Sequence, residues 1–285
     1  MSRAHHSAYD EAATARCERV LITLLGDLGP WRERIYLAGG LAPRYLIGAL
    51  PEGARPHVGT TDVDLVIGLA LGDETPETYR TLQNNLEKAR FEQREPSFRW
   101  ARAVEGATVF VEFLCETDEV APGRIYRPKG ESTGSKLGAF NVRGAHLVRD
   151  DFVEREIEGD RLDSGGRSRV AVRVANVLPY TVLKISAFQD RHENKDAYDL
   201  VFTLLNHEGG PRAAGRAARA SPVAQRPQVL DALALLEERF ADAQRDGPSA
   251  YASFLAAPGN VEENARLRQE SVATVRAFLL GLGPI

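Results

Sequence analysis

The stretch Thr60-Thr61-Asp62-Val63-Asp64-Leu65-Val66-Ile67 alternates with the period of a β-strand. A strand places Val63, Leu65 and Ile67 on one face and Asp62 and Asp64 on the other. The apolar set predicts a buried face. The two acids share the opposite face, with Cα atoms roughly 6.5–7 Å apart from the strand rise. Carboxylates at that distance repel unless a cation lies between them, and a hard divalent cation with oxygen ligands suits the gap. Upstream, the apolar run Ile35-Tyr36-Leu37-Ala38 predicts a buried strand that ends in Gly39-Gly40. Paired glycines let a backbone approach a phosphate closely, and the N–H groups of a following helix can hold it. That helix is expected to run to about Ala49, with Pro43 in its first turn and Pro51-Glu52-Gly53 as its stop. A phosphate cradle beside a Mg²⁺ platform points to phosphoryl or nucleotidyl transfer.

The remaining bulk properties narrow the class. The 285 residues suffice for one large or two ordinary domains. With 27% charged and 43% hydrophobic residues the composition is that of a globular protein. A formal charge of −4 argues against a globally basic nucleic-acid coat, while a local basic groove stays compatible with it. Cys17 lies on an apolar helical stripe and Cys115 at the end of an apolar strand, so both read as buried thiols in a reducing cytoplasm. The amino terminus, Met-Ser-Arg-Ala-His-His, lacks an apolar signal core, and no run reaches the length of a membrane span.

Along the chain, Cys17, Val20, Leu21, Leu24 and Leu25 predict a helix over residues 9–27. Thr75-Pro76-Glu77 reads as the capped start of a helix running to about Arg90. Residues 91–95 and 97–104 predict a strand pair, and Thr108–Leu114 the next strand. Glu112 sits among the apolar residues of that strand. A carboxylate there is costly unless paired or bound to metal, and an edge strand with Glu112 in solvent is the competing reading. Residues 117–175 show only short β-like pieces separated by polar loops. One of these, Lys129–Lys136, lacks the order of a phosphate-binding loop and reads as a flexible connection. From Leu178 onward six helices are predicted, over 179–191, 194–206, 211–219, 228–243, 249–256 and 262–281. Val229, Leu230, Leu233, Leu236 and Phe240 form one apolar face, and Val272, Val275 and Leu279 another. The basic run Pro211–Arg219 reads as a solvated segment.

A second cluster spans Lys184 to Leu200. In one continuous helix Lys184, Arg191 and Lys195 would lie within about 40° of one another. Three cations there call for an anion, and a nucleoside triphosphate would supply one. A break at 192–194, with Asn194 as a cap, is equally compatible. Lys195 and Asp199 form an i, i+4 pair worth about 0.2–0.5 kcal/mol, so charge alone favours a helix surface.

Taken together these residues resemble a known family. Gly39-Gly40 before a helix, then Asp62-Val63-Asp64-Leu65 on the next strand, is similar to the signature of the DNA polymerase β-like nucleotidyltransferase superfamily. Lys184, Ala187, Arg191 and then Lys195-Asp196-Ala197-Tyr198-Asp199-Leu200 resemble the carboxy-terminal motif of the AbiEii/AbiGii nucleotidyltransferase-like toxins, a group that includes the MenT toxins. The likeness covers roughly residues 34–114 and 180–205. It departs before the acidic strand, where members often carry an arginine and this chain has Arg55 and His57 as the nearest basic residues.

The resemblance implies an α+β fold: a nucleotidyltransferase-type mixed sheet flanked by helices, then a mainly helical carboxy-terminal region. The corresponding division is a nucleotidyltransferase domain over 1–118, with a β-containing insert and helical domain over 119–285. It implies an enzyme that moves a nucleoside monophosphate from an NTP to an RNA acceptor, with tRNA favoured, in a toxin–antitoxin or phage-defence setting with a cognate antitoxin protein. Asp62, Asp64 and Glu112 would hold Mg²⁺, and Glu112 would help deprotonate the acceptor. Gly39 and Gly40 would cradle phosphates. Lys184, with Arg191 or Lys195, would neutralise the triphosphate, and Asp196 would orient that lysine or contact the nucleotide. A small-molecule nucleotidyltransferase of the aminoglycoside-modifying type, a non-catalytic nucleotide-binding module and an interaction protein with incidental acids are the alternatives.

Overall fold

The computed structural model describes residues 5–67, 76–95, 98–127, 137–163 and 165–284. In chain order they form α1 (Glu11–Asp27), β1 (Ile35–Ala38), a 3-10 turn (Gly39–Leu41), α2 (Pro43–Leu46), β2 (Asp62–Ile67), α3 (Pro76–Lys88), β3 (Glu92–Arg94), β4 (Arg99–Val104) and β5 (Ala107–Cys115). There follow β6 (Ile125–Tyr126), β7 (Ala139–Asn141), α4 (Leu147–Asp150), β8 (Phe152–Asp160) and β9 (Arg167–Ala175). The chain then continues as α5 (Val177–Arg191), α6 (Asn194–Leu205), α7 (Gly210–Arg219), α8 (Pro227–Arg239), α9 (Asp246–Leu255) and α10 (Val261–Leu282). This is the expected α+β architecture, a mixed sheet with flanking helices and a helical carboxy-terminal region. Thr75, expected as a cap, and the loop Lys129–Lys136 lie outside the described residues. Among the described residues no helix is long and apolar enough to cross a membrane.

The chain divides into two compact units. A sheet unit holds Glu11–Ala42 and Gly59–Ala175, and a helical unit holds the described residues up to Asp10, Pro43–Val58 and those from Asn176 on. The boundary expected at 118/119 therefore falls inside the sheet unit. The reason is hydrogen bonding that weak local patterning hides: β7 pairs in parallel with the end of β5, and β9 pairs in parallel with β1. Among the described residues, the strands β6 to β9 thus extend the first sheet instead of forming a separate insert.

Within the sheet unit, nine strands are found among the described residues: seven follow the order β3-β4-β5-β2-β1-β9-β8, β7 pairs with β5, and β6 pairs with β7. β1 and β2 are antiparallel, β2 and β5 parallel, and β5, β4 and β3 successively antiparallel. β5 is an interior strand, so Glu112 does not stand on an edge. Val63, Leu65, Val109, Val111 and Phe113 are all at most 2% exposed and make one face of the sheet a core. α1 packs against β2, β5, β8 and β9 and contributes Cys17, Val20, Leu21, Leu24 and Leu25, each at most 1% exposed. Burial of each such aliphatic side chain is worth about 1.5–3 kcal/mol. Both thiols are buried and unpaired by disulfide, as their patterning predicts. Burial and the nearby Asp62 raise the Cys17 pKa to about 12, and burial and Glu116 raise Cys115 to about 12, so neither is a ready nucleophile.

Within the helical unit, α5 packs on α6 and α8, α6 on α9, and α7 along α10. Val229, Leu233, Leu236 and Phe240 are buried as expected, whereas Leu230 points outward and is 39% exposed. The helix expected from Gly39 to Ala49 is reduced to the 3-10 turn and the single turn of α2.

Candidate functional site

In the sheet unit, the face opposite the core carries the acids. Asp62 and Asp64 are half-buried on β2, and Val63 and Leu65 between and after them are fully buried. Register places Asp64 beside Glu112 of the parallel strand β5, Glu112 beside Arg99 of β4, and Arg99 beside Arg94 of β3. Register partners project to the same face, so Asp64, Glu112, Arg99 and Arg94 form one row across four strands. On the other side Asp64 is the partner of Ala38, the residue before Gly39.

Gly39 meets both requirements that make glycine obligatory. Its φ is +63°, and a Cβ built on it would lie 1.7 Å from Asp64 Oδ2. The backbone turn after β1 and the Asp64 carboxylate therefore pack directly against each other. Gly39→Ala is expected to incur about 1–2 kcal/mol from the left-handed backbone alone and to displace the Asp64 carboxylate besides. A melting temperature lowered by several degrees, together with weakened Mg²⁺ binding, is the result to look for. Unchanged values for both would show that the contact is slack.

Asp62 is oriented from the loop before β2. Thr60 is 2% exposed; its N–H donates to Thr14 Oγ1 of α1 (3.1 Å) and its hydroxyl donates to Asp62 Oδ1 (2.6 Å). Arg99 Nε donates to Glu112 Oε1 at 2.6 Å, and the two side chains are 42% and 15% exposed. Sequence reasoning missed both Thr60 and Arg99.

The hard oxygen donors of Asp62 and Asp64, on one face with Glu112 adjacent in register, have the chemistry that Mg²⁺ prefers. Glu112 is partnered by Arg99, and among the described residues no group of three or more His, Cys, Asp and Glu is arranged to hold a metal ion. The acids thus fit a divalent cation in kind, with Glu112 Oε1 accepting from Arg99 Nε.

In the helical unit the Lys184–Asp199 residues do come together, but as a buried charge network. α5 ends at Arg191 because His192 adopts φ +50°, and α6 begins at Asn194. Glu193, not Asn194, precedes the first helical residue. Lys184 Nζ donates to Asp199 Oδ2 at 2.7 Å and to Asp196 Oδ1 at 3.2 Å, and its side chain is 7% exposed. Lys184, which the family resemblance implies as a cation for the triphosphate, is in this structure a buried counter-charge to two carboxylates. Arg191 forks onto Asp196, with Nε–Oδ2 2.6 Å and Nη2–Oδ1 2.8 Å, and is the member that solvent reaches, at 55% exposed. Lys195 donates to both oxygens of Asp199, at 2.8 and 2.9 Å.

His57 completes the network from the segment before β2. Its Nε2 lies 2.9 Å from Asp199 Oδ1, and its ring stacks on Tyr198 and meets Phe202 edge-on. Tyr198 in turn accepts a hydrogen bond from the Val58 N–H at 3.0 Å. Burial raises and the Lys184, Lys195 and His57 partners lower the Asp199 pKa, and the partners prevail; it stays ionised. An ionised carboxylate only accepts, so His57 carries its proton on Nε2. Burial lowers the His57 pKa below 6.5 against the pull of Asp199, leaving the ring neutral. For Lys184, burial lowers the pKa, but Asp199, Tyr180 and Asp196 raise it well above 10.5. The Lys195–Asp199 spacing and the basic character of His57 are visible in the sequence; their convergence on one carboxylate is not.

Asp62, Asp64, Glu112, Gly39 and Gly40 thus lie together in the sheet unit, and Lys184, Arg191, Lys195 and Asp196 together in the helical unit. Comparison of the chain with protein-family models, with characterised proteins and with solved structures finds no match.

Proposed function

We infer that this chain is a Mg²⁺-dependent nucleotidyltransferase that moves a nucleoside monophosphate from an NTP to an RNA acceptor. The observation that carries the reading is the contact of Gly39 with Asp64, on a strand whose other acid, Asp62, shares the same face and whose neighbour in register is Glu112. Asp62 and Asp64 would hold Mg²⁺, which when bound supplies positive charge to a triphosphate and stabilises the charge that develops on phosphoryl transfer. Thr60 fixes the rotamer of Asp62. Gly39, lacking a Cβ, leaves backbone close to the carboxylate where a phosphate would approach. Glu112, the register partner of Asp64, would accept the proton of an attacking hydroxyl. In the helical unit Lys184 holds Asp196 and Asp199 in place, and Arg191 forks onto Asp196 from the solvent side. The family resemblance supports tRNA as acceptor, a toxin role and a cognate antitoxin.

A second reading, a nucleotide-binding module without catalysis, is favoured by one observation: Glu112 is engaged by Arg99. Pyrophosphate release separates the two. Purified protein with Mg²⁺, total RNA and each NTP in turn is expected to release pyrophosphate with at least one nucleotide, and to lose release in Asp62→Ala. Nucleotide binding without release from any of the four would leave the binding module.

A further inference from the structure

We propose that the open half of the acid-bearing sheet face, across β5, β4 and β3, binds a single-stranded RNA end through Phe110, Arg99 and Arg94. Two rows of register partners cross this face. One is Asp64, Glu112, Arg99 and Arg94; the other is Asp62, Phe110, Ala101 and Glu92. Phe110 is the residue next to Asp62, and it is 37% exposed although it sits on an interior strand. Its cross-strand neighbour on β4 is Ala101, which has no side chain long enough to cover an aromatic ring. Among the described residues no ring and no cation lies against Phe110. A phenylalanine that stays 37% exposed on an interior strand, with no ring and no cation against it among the described residues, offers a stacking platform for a planar ligand, and every nucleobase has a face to offer.

The surroundings suit a polynucleotide better than an apolar partner. A cavity of about 260 Å³ beside Phe110 is lined by Ala101, Ala103 and Thr108 and by three arginines, Arg90, Arg94 and Arg102, paired with two carboxylates, Glu92 and Asp163. Arg99 and Arg94 face each other in register, and their side chains are 42% and 56% exposed. Each is held by a carboxylate on the same face, Arg99 by Glu112 and Arg94 by Glu92. The Arg94–Glu92 pair is open to solvent on both sides and the Arg99 guanidinium is half-exposed, so a phosphate can compete for both arginines, and an arginine fork matches its oxygens. At about 4.8 Å per strand, three strand steps carry the row roughly 14 Å from Asp64 to Arg94. That span exceeds one phosphoryl group and accommodates consecutive nucleotides, leading from the sheet edge to the acids.

The assignment rests on the reading of Asp62 and Asp64 as the transfer site for its biological sense, but binding itself needs no transfer. A short fluorescein-labelled single-stranded RNA, titrated with the full chain in EDTA without NTP, is expected to bind with an affinity that falls as salt rises. Phe110→Ala is expected to weaken binding about tenfold, as loss of one stacked base does, and Phe110→Trp to retain it. Arg94→Ala and Arg99→Ala are expected to weaken binding and flatten its salt dependence. Circular dichroism confirms that each variant is folded. A folded Phe110→Ala that binds RNA as tightly as wild type overturns the assignment, as does wild type that binds no RNA. Pyrophosphate release that persists without RNA binding sinks this assignment alone; RNA binding that persists without any release sinks the transferase reading alone.

Discussion

Asp64→Ala is expected to abolish nucleotidyl transfer while the protein keeps its fold and its melting temperature. Asp64 has the closest connection to everything proposed for the sheet face: it abuts Gly39, shares its face with Asp62 and is the register partner of Glu112. Loss of its carboxylate removes one of two hard oxygen donors on β2. A supporting shell around a metal is worth about 10–100-fold in affinity or activity, and a ligand itself should exceed that range. The side chain is half-buried on the polar face, so truncation opens no cavity in the core, which is formed by Val63 and Leu65. It also removes one of two like charges on the strand. Mg²⁺ titration and transfer activity should both collapse while thermal unfolding stays within a few degrees of wild type. Retained transfer would remove the acidic platform from the mechanism; loss of fold would show that Asp64 is chiefly structural.

Asp199→Ala is expected to destabilise the protein by about 3–5 kcal/mol, the usual effect of removing one partner from a buried charge pair. Asp199 is fully buried and receives Lys184, Lys195 and His57. Its loss leaves Lys184, 7% exposed, with Asp196 as its remaining carboxylate partner among the described residues. Asp199→Asn keeps the volume and removes the charge, so a clear loss in this variant too would assign the effect to electrostatics. An Asn variant as stable as wild type would refute that assignment.

The same network sets the pH dependence. Asp199 and Asp196 have folded pKa values below the ordinary 3.8, so their contribution is present above about pH 4 and is lost as pH falls further. His57 has a folded pKa below 6.5; the unfolded chain takes up a proton that the buried ring refuses, so stability starts to fall below about pH 6.5. Lys184 is raised above 10.5, so its contribution is complete below that pH and is lost only as pH rises through the folded value. Chemical denaturation as a function of pH should show a plateau from neutrality to about pH 9, above which the unfolded chain releases thiol protons that buried Cys17 and Cys115 keep, and a decline on the acid side. His57→Phe should remove the first part of that decline; a profile that keeps it would place the titrating group elsewhere.

Much of the sheet was legible because its signals are local. The alternation of Asp62–Ile67 and of Val109–Phe113 fixed which side chains face the core, and the stripe on α1 fixed its covering helix. The turn Glu105-Gly106, with φ +52° and +78°, joins β4 and β5. Pairing across a two-residue turn propagates by counting, from Val104 with Ala107 to Arg99 with Glu112. Arg99 was therefore within reach of the sequence, though not read from it. The placement of β7 and β9 was not, because parallel pairing joins segments far apart in the chain and leaves no local mark. The charges from Lys184 to Asp199 were visible as charges. Whether they met solvent or one another depended on His192 breaking the helix and on Tyr198 and His57 closing over Asp199.

The most direct test of the acidic row as a transfer site is a labelling experiment. Purified protein is incubated with Mg²⁺, total RNA and each labelled NTP in turn, then run on a denaturing gel beside Asp64→Ala. The account predicts label in an RNA band, tRNA-sized by the family likeness, with one nucleotide and with wild type only. Label in no RNA with any of the four nucleotides, or equal labelling by Asp64→Ala, would contradict it.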